Sequence, residues 1–300
     1  MTAVRVRVLG TAAGGGLPQW NCACEQCGRA RRTGTARSQD CLAVSADGRS
    51  WYLVNASPDI RAQVLAAPEL TPGPGRRQTP IRGVLFSTAE LDHMLGLLAL
   101  REGGELAVYA PRPVLIALDA GFPARRILDP YGAVSWHPVP PGETVPLDDR
   151  LEVVALPLSA KRPRYAADLS LTPQAGQDWV VAYRFTDRAT GGVLVYAPCL
   201  GEWTRPFEAA VGGATCVLLD GTCFTDDEMM RSTGTGRGSR QMGHLPIADS
   251  LTQVKAYPQV RTLFTHLNNT NPVLDAGSPE HGAVLAAGAE VAADGLVLEL

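Results

Sequence analysis

Ile81-Arg82-Gly83-Val84-Leu85-Phe86, followed by Ser87-Thr88-Ala89-Glu90-Leu91-Asp92-His93, is the stretch that decides the fold. A short apolar run that ends in polar residues reads as a buried strand. A carboxylate and an imidazole follow within seven residues of its end. In layered α/β domains, ligands gather at the C-terminal ends of strands. Asp92 and His93 therefore offer one hard oxygen and one nitrogen in a favoured place, with Glu90 two residues earlier to support them. Alone, the pair also reads as a helix N-terminus, where an acidic residue meets the helix dipole.

Two later strands end in the same way. Val217-Leu218-Leu219 runs into Asp220-Gly221-Thr222. Thr262-Leu263-Phe264-Thr265 runs into His266, and Asn268, Asn269 and Asn271 crowd the residues before Pro272. Each could be an ordinary strand-to-turn junction. Three strand ends that deliver Asp92 with His93, Asp220, and His266 are jointly far less ordinary. Asparagine is suited to gripping a polar ligand, which makes Asn268 and Asn269 candidate contacts.

The seven cysteines are an odd number and too few for a disulfide scaffold. Three crowd together in Asn21-Cys22-Ala23-Cys24-Glu25-Gln26-Cys27. A tight turn can aim three such thiolates at one tetrahedral zinc, which leaves one position for a fourth ligand. The five histidines and Cys41 can supply it; His244, which follows the glycine-rich segment 230–243, could be carried to the cluster, and a histidine held there should not be catalytic. Such a closed site is structural. A dithiol at Cys24 and Cys27 would need a helix starting just after a strand, and the third cysteine and the Trp20-Asn21 approach speak against it.

The rest of the chain alternates strands and helices. Strands are expected at 4–9, 41–44, 51–55, 81–86, 106–110, 151–157, 179–185, 192–197, 216–220, 261–266 and 296–300. Helices are expected at 60–65, 92–101, 112–119, 202–211, 247–256 and 280–287. The loosest segments are 138–149, 159–178 and 230–243. No linker separates two cores, so residues 1–300 read as one layered α/β domain. A net charge of −3 provides no basic excess to hold a phosphate backbone, which argues against nucleic acid. The apolar runs are far shorter than the roughly 20 residues that span a bilayer, which argues against a membrane role. The start alternates arginine with valine, unlike a secretory signal, and a cytoplasmic protein is expected. The glycine run Gly10 to Gly16 leads into Leu17-Pro18-Gln19-Trp20 instead of an amphipathic helix, so it is not read as a dinucleotide fingerprint.

In this order, the motifs resemble the metallo-β-lactamase superfamily, whose active-site motif is His-x-His-x-Asp-His with a later Asp and a later His. This chain has Thr88 and Glu90 where that motif has its first two histidines, so a full dinuclear zinc site is not implied. A closer similarity is to the coenzyme PQQ synthesis protein B family. It is carried by Gly14-Gly15-Gly16-Leu17-Pro18-Gln19-Trp20-Asn21-Cys22, Asn55-Ala56-Ser57-Pro58-Asp59-Ile60-Arg61, Leu91-Asp92-His93, Tyr196-Ala197-Pro198, and His266-Leu267-Asn268-Asn269-Thr270-Asn271-Pro272. The similarity departs at Cys199, where glycine is expected.

The resemblance implies a four-layer αββα metallo-β-lactamase-like sandwich and a part in making pyrroloquinoline quinone (PQQ). The implied chemistry is a non-haem iron hydroxylase that uses O2 to oxidise the tyrosine ring of a cross-linked Glu-Tyr intermediate. The implied alternatives are a soluble carrier of PQQ or its precursor, and a metal-dependent hydrolase. Under the first reading, Asp92, His93 and His266 ligate one Fe(II), which Zn(II) can replace on isolation. Asp220 is a fourth ligand or a base beside them, and Glu90 orients a ligand or a water. Asn268 and Asn269 meet the substrate, and Arg61 or Arg101 pairs with its carboxylates. Cys22, Cys24, Cys27 and His244 hold the structural zinc, and segment 159–178 is expected as a lid. A homodimer is left open.

Overall fold

The computed structural model describes residues 4–132, 134–169, 178–234 and 236–300. The first half contributes β1 (Arg5–Gly10), β2 (Cys41–Ser45), β3 (Trp51–Val54), β4 (Ile81–Leu85), β5 (Leu106–Ala110) and β6 (Val134–Pro138). The second contributes β7 (Thr144–Pro146), β8 (Leu151–Ser159), β9 (Val180–Asp187), β10 (Val193–Ala197), β11 (Cys216–Asp220), β12 (Arg261–Thr265) and β13 (Ala289–Val291), and β14 (Val297–Glu299) returns to the first sheet beside β1. The sheet orders are β14-β1-β2-β3-β4-β5-β6 and β13-β12-β11-β10-β9-β8-β7. In the first sheet the pairs from β14 to β3 are antiparallel and those from β3 to β6 parallel; in the second the pairs from β7 to β10 are antiparallel and those from β10 to β13 parallel.

Alternation along the strands explains the layers. Val6, Val8, Leu42, Val44, Val54 and Leu85 join Leu151, Val153, Tyr183, Phe185, Leu194 and Leu218 in one buried cluster between the sheets. The neighbours that point the other way, such as Trp51, Leu53, Val84, Val195, Val217 and Phe264, pack with helix residues Ile60, Met94, Leu97, Phe207, Ile247 and Val284. A strand whose two faces are both buried reads as a continuous apolar run, as β10 and β11 do. The result is an αββα sandwich, and no helix among the described residues is long and apolar enough to cross a membrane.

The structure departs from the sequence reading in several elements. A helix spans Glu25–Thr33, directly after the first two cysteines, and another spans Glu228–Thr233 inside the segment read as loose. The loose segment 138–149 contains β7. The helix expected at 92–101 is α-helical only over Leu91–Met94 and continues as 3-10 turns over Leu95–Leu100. Gly96 explains the break. Its N–H donates to the Ala56 carbonyl at 2.9 Å, and a Cβ there would lie 2.1 Å from the Ser57 carbonyl oxygen. Within the expected lid, residues 170–177 lie outside the described residues. The part before them carries a short 3-10 turn, Arg164–Ala166.

Candidate metal centre

β10, β11 and β12 are parallel neighbours, with Ala197 level with Leu219 and Asp220 level with Thr265. Whatever follows their ends therefore emerges at one edge: Cys199, Asp220 with Thr222, and His266. The loop after β4 brings Asp92 and His93 to the same edge from the other sheet. Backbone bonds fix that loop, because the Ala56 N–H donates to the His93 carbonyl at 2.6 Å. The glycine run closes over it, since a Cβ on Gly14 would lie 3.1 Å from Asp92 Oδ2. Glycine there is needed for close approach of backbone to a carboxylate.

The donors meet. His266 Nε2 lies 3.5 Å from Asp92 Oδ2, and His93 Nε2 lies 4.0 Å from the same oxygen. The His93 and His266 rings stand edge to face, 5.0 Å between centroids. Thr222 Oγ1 lies 2.9 Å from His266 Nδ1, which leaves Nε2 to face Asp92 and His93. Both ring nitrogens of His93, and Nε2 of His266, are buried without a hydrogen-bond partner among the described residues. Buried polar atoms are nearly always paired, so such a group needs an explanation. A cation held by Asp92, His93 and His266 would supply one for Nε2 of His266 and for one nitrogen of His93.

The electrostatics agree with ligand chemistry. Burial drives the His93 pKa down to about 4, helped by His266 and His244 and opposed by Asp92. His93 is thus a neutral imidazole near neutral pH, the form that binds a metal. Burial disfavours the charge of Asp92, but His93 and His266 outweigh it and hold the carboxyl well below its usual range. Burial also lowers His266, against a larger upward pull from Asp92, Asp40 and Asp220.

His244 departs from its expected place. It does not join the cysteines. Its Nδ1 lies 2.6 Å from Asp220 Oδ2, and its ring stacks on His266 with 5.4 Å between centroids. Asp220 also accepts from the Thr222 N–H, the Thr222 hydroxyl and the Leu200 N–H. The polypeptide after the glycine-rich segment turns toward the strand edge, and the Leu245 N–H bonds the Leu200 carbonyl there. Asn269 occupies the expected place instead, its side-chain amide 3.2, 3.5 and 3.3 Å from the sulfurs of Cys22, Cys24 and Cys27. The three sulfurs lie within 4.8 Å of one another. Turning the Asn269 amide over would present its oxygen as the fourth donor to a metal, since the two amide atoms exchange places on that rotation. Asn269 therefore faces the cysteines and does not line the cavity, unlike Asn268.

The cavity at the strand edge encloses about 600 Å³. Its lining includes Asp92, His93, His244, His266, Asn268 and Glu90. Arg61 and Arg101, expected to bind carboxylates, do not line it. Arg61 is exposed on the helix Ile60–Ala66, and Arg101 packs over the Tyr131 ring beside Glu102. The cations at the cavity are Lys161, Arg162, Arg164 and Arg237. Lys161 Nζ lies 3.7 Å from Glu90 Oε1. These basic residues belong to two of the three segments read as loose, 159–178 and 230–243, where sequence periodicity carries no signal.

Asp40 was also invisible to the sequence reading. It is buried behind the site, where the Thr265 hydroxyl donates to it at 2.5 Å and the Tyr196 hydroxyl also donates to it. Burial pushes its pKa up to about 6, against the pull of nearby His266. Asn55 ties the same network to the other sheet: its Oδ1 accepts from the Ser87 N–H at 3.0 Å, and its Nδ2 donates to Tyr196 at 3.3 Å.

Two mixed sheets between helices, with carboxylates and imidazoles gathered at the strand ends, define a protein of the metallo-β-lactamase fold. Residues 50–267 match the family model described as a β-lactamase superfamily domain. A diphosphatase of the PhnP family shares that fold, with a TM-score of 0.70 and 21% identity over 99% of this chain and 97% of its own. Coenzyme PQQ synthesis protein B of Azotobacter vinelandii is 39% identical over 99% of this chain and 100% of its own length. That of Cupriavidus necator is 41% identical over 98% and 99%. The crystal structure of zinc-bound PqqB from Methylobacterium extorquens matches with a TM-score of 0.90 and 36% identity, over 99% of this chain and 100% of that one. The chain belongs to the coenzyme PQQ synthesis protein B family.

Proposed function

We propose that this protein acts in PQQ biosynthesis as a metal-dependent oxygenase, hydroxylating the tyrosine ring of the cross-linked Glu-Tyr intermediate. The observation that carries the metal is the set of buried, unpartnered nitrogens on His93 and His266 beside Asp92. Two imidazoles and one carboxylate suit ferrous iron with open positions. When bound, such an ion supplies the activation of dioxygen.

The protein's own groups do the rest. Lys161, Arg162, Arg164 and Arg237 around the cavity suit a substrate rich in carboxylates, as a glutamate-tyrosine adduct is. The cavity volume of about 600 Å³ is in the range of small-molecule sites. Asn268 offers an amide to the bound ligand. Asp220 engages Nδ1 of His244, so Nε2 is the nitrogen left to take a proton from the substrate. In this reading Asp220 is a positioning residue that orients His244, and Glu90 positions Lys161. Cys22, Cys24, Cys27 and Asn269 hold a structural zinc.

The Asp220–His244 pair also favours a second reading, a metal-dependent hydrolase, since such a pair serves general acid or base chemistry. Threonine and glutamate in place of two histidines leave that reading with fewer metal donors. One experiment separates the readings. The iron-loaded protein is given the Glu-Tyr intermediate under isotopically labelled dioxygen, and the product mass is followed. Label in the product, lost in His93→Ala, is expected. Oxygen incorporated from water indicates the hydrolase. Saturable binding of PQQ without any mass change indicates a carrier and rejects both enzymes.

A further inference from the structure

Cys199 follows the end of β10 and stands on the lining of the same cavity, buried to 8% exposure. One ligand atom each from Cys199, His93 and His266 lies within 4.8 Å of the other two. His93 has no protein partner for either nitrogen, and His266 has none for Nε2, among the described residues. The unsatisfied imidazoles and the thiol therefore converge on one small volume. The Leu200 N–H is anchored on Asp220 Oδ2 at 2.8 Å, which fixes the backbone that carries the sulfur.

We propose that Cys199 is a further ligand of the active-site metal, so that this chain binds it through one carboxylate, two imidazoles and one thiolate. The inference rests on the metal reading given above for Asp92, His93 and His266. On binding, a bond forms between the metal and Cys199 Sγ, the S–H bond breaks, and its proton leaves to solvent. No electron changes hands. A thiolate donor shifts the preference of a site from magnesium and manganese toward softer ions such as zinc, ferrous iron or cadmium. It also fills one position that would otherwise remain for substrate or dioxygen.

The test is NMR of the cadmium nucleus in the full chain, stripped of metal and loaded with cadmium. Sulfur ligands move the cadmium resonance to low field. Two resonances are expected: one at very low field from the three-cysteine cluster, and one at intermediate field from the cavity. In Cys199→Gly the second should move upfield into the range of oxygen and nitrogen ligands, with the first unmoved as the internal sign of an intact fold. Cys199→Ser should behave alike. Cadmium affinity at the second site should fall at least as far as the roughly tenfold loss that follows removal of an outer hydrogen-bond partner. A second resonance that stays in place in both variants overturns the thiolate ligand and leaves the metal site standing. A cluster resonance with no second resonance in the unaltered protein overturns the metal site itself, and the inference with it.

Discussion

Two residues at the site hold backbone conformations that side chains rarely adopt: Asn55 at φ 65° and His266 at φ 55°. A left-handed conformation costs a residue with a Cβ about 1–2 kcal/mol, with asparagine among the more tolerant. The surrounding bonds hold both in place, and in each case the turn redirects the chain just as it leaves a strand. Asn55→Gly removes the side-chain bonds to Ser87 and Tyr196 but relieves the backbone, whereas Asn55→Ala removes the bonds and adds strain. Urea denaturation should find the alanine variant less stable than the glycine variant by about 1 kcal/mol. Equal stabilities would show that the backbone is unstrained.

Glu228 supplies the clearest pH effect. Burial pushes its carboxyl up from 4.5 to about 7, against bonds from the Thr270 hydroxyl and the Phe224 N–H. A folded-state value above the unfolded one means that folding favours the protonated form. The stabilisation is full below about pH 4.5 and is lost as pH rises toward 7. That rise corresponds to about 3 kcal/mol. Glu228→Gln should flatten the decline of stability across this window, read from denaturation midpoints at several pH values. An unchanged slope would assign the decline to other groups.

At the scale of elements, the cysteine loop is stitched to the segment that leaves β12. Cys24→Ser and Asn269→Ala should each lower the zinc retained per chain, with the serine variant losing more. His244→Ala should leave cluster zinc intact, measured by metal analysis after dialysis with iron kept out. Loss of that zinc on His244→Ala would restore the histidine to the cluster. The sequence alone could not make this assignment. Cys22, Cys24 and Cys27 suggest a metal by spacing, but Asn269, the side chain that faces their sulfurs, lies 242 residues beyond Cys27. His266 and Asn269 sit three residues apart, yet one turns to the cavity and the other to the sulfurs. That Asp92, His93, Asp220 and His266 gather at one edge was readable because each lies at or after the end of a largely apolar strand. Lys161, Arg162, Arg164 and Arg237 were not, since they lie in polar segments where no periodicity marks them. The central strands were readable for the same reason. β6 and β7 were missed because they are half exposed and bounded by proline or turn residues.

For the whole molecule, the sandwich supplies the main stability, and a zinc in the cysteine cluster would add to it by binding only the folded chain. A chelator should therefore lower the melting temperature of the unaltered protein toward that of Cys24→Ser, and should change Cys24→Ser much less. Equal losses in both would place the stabilising metal in the cavity. The two sheets are joined across their shared edge by the buried network of Asn55, Tyr196, Asp40 and Thr265. That network fixes the position of β12 relative to β3, and so the position of His266 relative to the loop that carries Asp92.

His266-Leu267-Asn268-Asn269 runs from one group of side chains to the other, so ions bound at the two would be thermodynamically linked through it. An ion in the cysteine cluster would order this segment in advance and lower the entropy that a second ion must remove at the strand edge. By reciprocity, the second ion tightens the first by the same factor. Isothermal titration should accordingly show weaker binding at the strand edge in Cys24→Ser than in the unaltered chain, although Cys24 touches nothing there. Equal affinities would show that the shared segment is already rigid without either ion.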